Sequence, residues 1–271
     1  MPDSSEWTAS VGQAWRDALP GLEATLAPFN SVLADTLRLG GATHVVDVGC
    51  GGGGLTRYLA QAAGPNTRVT GIDISRAMIQ VARQSEPSDT VEFVCADATH
   101  HKLAGAPADR LTSRFGVMFF DDEAKAFANL RSWLATDGRF AFAVWGPMDA
   151  NPWMDVVRQE IARELSLPPS DPGQPGAVRY ADPNRLLQVL QTAGFESSTV
   201  TDWTGSLQLG GGLAAPDAAR FGLRAFWGDC VSEGSPIYTR IAERLTARLR
   251  EHERYGRVEM AAHALIFSGA A

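Results

Sequence analysis

The chain reads as an α/β fold built on a mostly parallel sheet. Two observations predict it. From residue 44 to residue 145 short apolar runs alternate with stretches of helical spacing. Connections of that length place parallel strands side by side with helices on both faces. The first apolar run, Val45-Val46-Asp47-Val48, leads into the loop Gly49-Cys50-Gly51-Gly52-Gly53-Gly54, and helical spacing starts at Leu55. Residues without a Cβ let a ligand approach the backbone, and N–H groups at a helix N-terminus face it. Such a loop marks a nucleotide-type cofactor site.

The elements follow in order. Trp7, Val11, Trp15, Leu19, Leu22, Leu26 and Phe29 recur every three or four residues, predicting one or two amphipathic helices punctuated by Pro20 and Pro28. Residues 31–39 continue as helix up to Gly40-Gly41. His44–Val48 is the first strand, and Leu55–Ala63 a helix stopped by Gly64-Pro65. Arg68–Ile74 is the second strand. Ser75 caps a helix to about Arg83. Val91–Cys95 is the third strand, and Leu111–Met118 contains the fourth. Asp121-Asp122-Glu123 sets acids in the first turn of a helix reaching Leu134, as the helix dipole favours. Asp137-Gly138 turns into the fifth strand, Arg139–Trp145.

Beyond Trp145 the pattern changes. Residues 168–176 hold Pro168, Pro169, Pro172, Gly173, Pro175 and Gly176, a turn-rich linker or lid. Asp182 and Pro183 open a helix to about Ala193. A strand lies within Ser197–Leu209 and is broken by Gly210-Gly211-Gly212. Helices are expected near 216–232 and 237–253, and Val258–Phe267 is the closing strand.

With 271 residues, 45% hydrophobic content and a mean hydropathy of −0.11, the composition is that of a globular protein with a sizeable core. A net charge of −7 and a pI of about 5.3 supply no basic field for nucleic acid. Arg240 to Arg254 is interleaved with Glu243, Glu251 and Glu253 and reads as a solvated helix face. Cys50, Cys95 and Cys230 form no C-x-x-C pair, so neither a disulfide framework nor a structural zinc site is expected. The start lacks a basic, then apolar leader, and no apolar run would span a bilayer. A cytoplasmic protein, monomeric or homodimeric, without membrane, nucleic-acid or metal partners, is the expectation.

Two cofactors compete for the glycine loop. Gly49, Gly51 and Gly54 fit the dinucleotide pattern G-x-G-x-x-G, with Asp73 near the distance of a ribose-binding acid. The stretch also fits Asp-x-Gly-x-Gly-x-Gly at Asp47, Gly49, Gly51 and Gly53. A carboxylate at the mouth of the loop repels a pyrophosphate, whereas S-adenosyl-L-methionine (SAM) is cationic there through its sulfonium and ammonium. Asp47 on this argument favours SAM.

The Asp47 to Gly53 run resembles motif I of the class I SAM-dependent methyltransferases. Val69-Thr70-Gly71-Ile72-Asp73-Ile74-Ser75 resembles their second-strand motif and Cys95-Ala96-Asp97-Ala98 their third. Ser113-Arg114-Phe115-Gly116-Val117-Met118-Phe119-Phe120, Ala126–Arg131 and Asn151-Pro152-Trp153-Met154 are similar to a small-molecule branch akin to the ubiquinone/menaquinone-biosynthesis C-methyltransferases. The resemblance runs from about residue 40 to residue 150 and more loosely onward. Residues 99–110, with His100-His101, depart from the Phe-Pro-rich loop of that branch.

The resemblance implies a Rossmann-like class I methyltransferase fold: a seven-stranded, mostly parallel sheet with an antiparallel last strand, plus a helical cap. It implies a cap segment at 1–40, a SAM-binding core at 41–146 and a C-terminal part, 147–271, that completes the sheet and inserts lid helices. Asp73 would accept both ribose hydroxyls, for which an acceptor-only carboxylate is suited. Asp97 would accept the adenine amino group while the Ala98 N–H meets a ring nitrogen. Met78 and Ile74 would pack near the adenosine. Ser113, Arg114 and Phe115 would flank the methionine moiety and methyl group, and Asp47, Gly49, Cys50, Gly51 and Gly53 would form the loop.

Plainer roles weigh against some residues. His44 and His263 read as structural, and His100 and His101 as exposed loop histidines. Tryptophan is most often core. Trp15 and Trp153 are set apart because they flank the expected cofactor mouth. Cys50 is small enough to need no further reason in its loop. The expected reaction is in-line methyl transfer to a small aromatic or polyketide-like acceptor, on oxygen or carbon, yielding S-adenosyl-L-homocysteine (SAH). No catalytic base is identifiable. The alternatives are an NAD(P)-dependent oxidoreductase using the same loop, although Tyr-x-x-x-Lys is absent, and a non-catalytic SAM/SAH-binding regulatory subunit.

Overall fold

A computed structural model describes residues 10–84, 88–167, 171–227 and 231–271. Trp7, Cys230, the Pro168-Pro169-Ser170 start of the turn-rich loop and the side chain of Trp227 lie outside the described residues.

Two helices, α1 (Ser10–Leu26) and α2 (Pro28–Leu37), precede the sheet. The alternating core follows: β1 (His44–Val48), α3 (Gly54–Ala63), β2 (Arg68–Asp73), α4 (Arg76–Gln84), β3 (Val91–Cys95), β4 (Ala108–Arg114), α5 (Glu123–Trp133) and β5 (Leu134–Trp145). Then come α6 (Pro152–Ala162), α7 (Pro183–Thr192), β6 (Glu196–Gln208), α8 (Ala215–Trp227), α9 (Pro236–Arg250), β7 (Glu253–Arg254) and β8 (Arg257–Ala270).

The strand order is β3-β2-β1-β4-β5-β8-β6. β1 through β5 pair in parallel, whereas β8 runs antiparallel to both β5 and β6. The expected seven strands are therefore present, and two-residue β7 adds a short hairpin against β8. The order reverses between β1 and β4, and a crevice opens at the carboxyl ends of the strands at such a switch point. β1 lies at the centre of the sheet between β2 and β4 and is buried along its whole length. Thr70 and His44 tie β1 to β2 through a 3.1 Å Nε2 to Oγ1 contact, a structural role for His44.

Some boundaries differ from expectation, for physical reasons. α1 continues through Pro20, since its packing on the glycine loop and on α8 outweighs the lost hydrogen bond. Pro28 is the first residue of α2, where a missing N–H costs nothing. β4 spans Ala108–Arg114 rather than lying within Leu111–Met118, because Phe115 takes φ +64° and ends it. β5 starts at Leu134, with a register shift against β4 that absorbs Asp137-Gly138.

Arg240, Arg244 and Arg248 on α9 do not form a solvated face with their own neighbours. They reach across to α6 and the turn after it, where Glu164 accepts from Arg240 at 2.7 Å and the buried Glu160 accepts from Arg244 at 2.9 Å. Burial of Ile241, Leu245 and Leu249 on the other face of α9 completes the docking. The turn-rich loop is anchored rather than free. Gly176 N–H donates to Met118 O at 3.0 Å, and Tyr180 Oη donates to Glu123 Oε2 at 2.8 Å. Arg179 and Arg185 pair with the same Glu123.

Candidate active site

One cavity of about 190 Å³ opens at the carboxyl ends of β1, β2, β4 and β5. At one end lie Asp73, Ile74, Met78, Asp97 and Ala98, at its centre Gly49, Gly51, Arg114 and Phe115, and at the other end aromatic side chains. Glycine is required at its floor. Gly49 has φ +68°, and a Cβ there would stand 2.9 Å from Gly116 Cα, so the β1 and β4 loops touch backbone to backbone. At Gly51, φ is +53° and Met78 Cε lies 3.3 Å from the place a Cβ would take.

Asp73 ends β2 and is fixed by the loop it serves. Its Oδ2 accepts from Gly51 N–H and its Oδ1 from Ser75 N–H, each at 2.8 Å. Burial raises its pKa and these two donors oppose the rise. Each oxygen keeps a lone pair for a further donor. Asp97 follows β3, and its Oδ1 accepts from Thr99 N–H at 2.8 Å. Asn129 on α5 holds that loop by donating to Ala98 O at 2.8 Å and to His101 O at 2.7 Å. His101 is half-buried and sets its ring edge-on to Trp133 at 6.0 Å, so only His100 is the exposed loop histidine expected.

Four residues expected at the site do not line the cavity. Asp47 is 1% exposed and turned into the fold, where Thr56 Oγ1 donates to its Oδ2 at 2.7 Å. Its Oδ1 has no partner. Burial pushes its pKa up to about 7 against the Thr56 bond and the Arg114 charge. Cys50 packs against Gly71, and burial pushes its thiol up. Gly53 caps α3 at φ +83° beneath Phe93, where a Cβ would stand 2.5 Å from the ring. Ser113 Oγ donates to Val48 O at 2.7 Å and accepts from Gly116 N–H at 3.1 Å, bracing the two loops. These residues shape the floor from behind.

The carboxylate that meets the glycine loop is therefore not Asp47 but Glu23 on α1. Its Oε2 lies 2.0 Å from where a Cβ of Gly54 would be, so a carboxylate already sits at the N-terminus of α3. A pyrophosphate would have to displace this charge. Arg114, 8% exposed in its side chain, donates to Glu23 Oε2 at 2.6 Å and to Asn30 Oδ1 at 2.7 Å. Leu19 packs over Gly52 in the same way, so α1 is strapped across the glycine loop. The sequence signal for Glu23 was an acid inside an otherwise apolar helical stripe.

At the far end the rings form a connected wall. Phe115 stacks on Trp145 at 3.8 Å and 7°. Trp153 stands 5.1 Å from Trp145 and 5.4 Å from Phe226, and Trp15 stands 6.4 Å from Phe226. Trp15 and Trp153 are thus brought to the cavity, and Trp145, read as core, lines it as well. Phe115 pays for its place with a left-handed backbone, uncommon for a bulky residue and typical of ligand sites. His263 on β8 does not line the cavity and pairs with Asp202 at 2.7 Å. No group of three metal-ligating side chains occurs among the described residues. No helix among the described residues is long and apolar enough to cross a membrane.

The sheet order, the acids closing β2 and β3 and the glycine floor between them define a class I SAM-dependent methyltransferase fold. Residues 45–138 match the family model described as a methyltransferase domain. A trans-aconitate 2-methyltransferase of Paracidovorax citrulli is 50% identical over 115 residues, 42% of this chain and 43% of that protein. A malonyl-[acyl-carrier protein] O-methyltransferase of Acetivibrio thermocellus is 34% identical over 180 residues, 63% of this chain and 60% of that protein. The chain thus spans about half the length of the curated relatives it matches. In fold, a crystal structure of a methyltransferase from an antibiotic biosynthesis pathway of Anabaena variabilis superposes with a TM-score of 0.65 at 18% identity, covering 92% of this chain and all of that one.

Proposed function

We propose that this chain transfers the methyl group of SAM to a small-molecule acceptor, an aromatic or polyketide-like metabolite, on oxygen or carbon. The observation that carries this reading is the single cavity joining the Asp73–Asp97 end to the ring-walled end past the glycine floor. A cofactor laid along it would meet ribose acceptors at Asp73, an adenine edge at Asp97 and Ala98, and Arg114 with Glu23 near its amino-acid end. The fit is supported by the spare lone pairs of Asp73 and by the backbone exposed at Gly49 and Gly51. SAM supplies an activated methyl group. The protein's part is to hold the acceptor in line and exclude water, and positioning of this kind supplies on the order of 7–11 kcal/mol. The cap (residues 1–40), core (41–146) and C-terminal part (147–271) are proposed to divide the work into closure, cofactor binding and acceptor enclosure.

The named relatives act on acceptors as unlike as a malonyl carrier protein, trans-aconitate and a phytyl naphthoquinone, so their names do not select one. Calorimetric titration with SAH, with NADH in parallel, tests the cofactor. Micromolar SAH binding without NADH binding is expected. NADH binding alone would return the loop to a dinucleotide. Transfer of label from methyl-labelled SAM to an acceptor then separates an enzyme from a silent binder.

A further inference from the structure

We infer that the acceptor is an acid: a flat, apolar molecule whose nucleophilic atom is already anionic when it enters the cavity. This deepens the methyltransferase reading and rests on it. The ring-walled end offers Trp15, Phe115, Trp145, Trp153 and Phe226, an aromatic lining against which a flat apolar body packs best. Among the described residues, the side chains on the cavity wall able to take a proton are Asp73, Asp97 and Asp121. Asp73 is committed to two backbone N–H groups, and Asp97 stands beyond it at the end of β3. Asp121 lies on the exposed rim, after Phe120. The described wall carries no His, Lys, Tyr or Cys side chain. Among the described residues, apart from Asp121 on the rim, the ring-walled end gives a neutral phenol or alcohol no side chain to take its proton.

Arg114, the described cation on the wall, is neutralised by Glu23 at 2.6 Å. An acceptor anion is therefore not drawn away by an unpaired Arg114, and its partner in this apolar space is the sulfonium. Attraction between them grows as the surroundings lose polarity. The bookkeeping of atoms closes without a base. A lone pair of the anion forms the bond to the methyl carbon, the carbon–sulfur bond breaks, and its electron pair stays on sulfur. Anion and sulfonium both become neutral, and no proton moves. Attack by an amine would instead leave a cation in the apolar chamber, still holding a proton to shed.

The test compares 2-naphthoate, 2-naphthol and 2-naphthylamine as probes of one shape. Their affinities are measured by calorimetry on the full chain saturated with SAH, which is neutral at sulfur, or with sinefungin, which carries an ammonium in place of the methyl sulfonium. Naphthoate is expected to bind at least tenfold tighter with sinefungin than with SAH, and the other two probes to show no such preference. With labelled SAM, methylation of naphthoate is expected to be flat from pH 6 to 9, and that of naphthol to rise with its own ionisation. Equal naphthoate affinity in the two complexes, no naphthoate binding in either, or preferred methylation of the amine would overturn the inference while leaving the methyltransferase reading in place. Failure of SAH itself to bind would overturn both.

Discussion

The two ends of the cavity are built in opposite ways. At the Asp73 end the groups come from residues 48–98, from three successive strands and the loops that close them, and they act through backbone N–H groups and short carboxylates. At the ring-walled end they come from residue 15 to residue 226, from three helices and the ends of β4 and β5 that meet only in the folded chain. The first end is a local invention fixed by spacing, and the second is a product of packing. A ligand shared by many proteins suits the first, and a ligand particular to one suits the second.

The sharpest way to break the local end is at its floor. Gly49→Ala places a Cβ against the backbone of Gly116 at φ +68°, where neither atom can rotate away. Left-handed strain and overpacking together cost about 2–5 kcal/mol. A fall in melting temperature together with lost SAH binding is expected. A stable variant that binds SAH normally would show that the two loops can separate. Asp73→Ala should act more narrowly, weakening SAH binding by about 1–3 kcal/mol through lost hydrogen bonds to a charged acceptor. Unchanged affinity in calorimetry would remove Asp73 from the site.

How far the sequence could be read follows the same division. β1, its glycine loop, Asp73 and Asp97 were legible because strand ends and left-handed turns restrict the residue at each position. The strand number and the antiparallel last strand followed from the family pattern, whereas the strand order came only with the fold. Glu23 was missed: its place in an apolar helical stripe was visible, but its meaning lies in the contact of α1 with Gly54. Trp145 was missed as well, since its side chain is as apolar in a cavity wall as in a core. The assignment of Asp47 to the mouth of the loop failed because strand alternation does not say which end of a carboxylate a buried Thr56 will claim.

Asp47 gives the next prediction. Its folded pKa, raised by burial to about 7, exceeds the ordinary value of 3.8. The folded chain therefore keeps a proton that the unfolded chain loses across that window. Stability contributed by this group is present below about pH 4 and is lost as pH rises toward 7. One proton's difference is worth at most about 1.4 kcal/mol per pH unit. Asp47→Asn should flatten the dependence of denaturant stability on pH between 4 and 7. The same slope in both proteins would place the charge change elsewhere.

The smallest effect is expected where packing, not spacing, made the site. Trp15 touches Phe226 edge-on from a helix strapped over the loop, and is half-buried. Trp15→Leu keeps an apolar surface and removes one ring of the wall, worth about 0.5–1.5 kcal/mol beyond its area. The acceptor probe 2-naphthoate should bind roughly three- to tenfold more weakly in the sinefungin complex on that energy scale. SAH affinity should change less than this, because the groups that would hold it lie at the other end. A larger loss for SAH than for naphthoate would mean that α1 closes mainly over the cofactor, and the contrast between the two ends would have to be redrawn around Leu19 and Glu23, which touch the glycine loop directly.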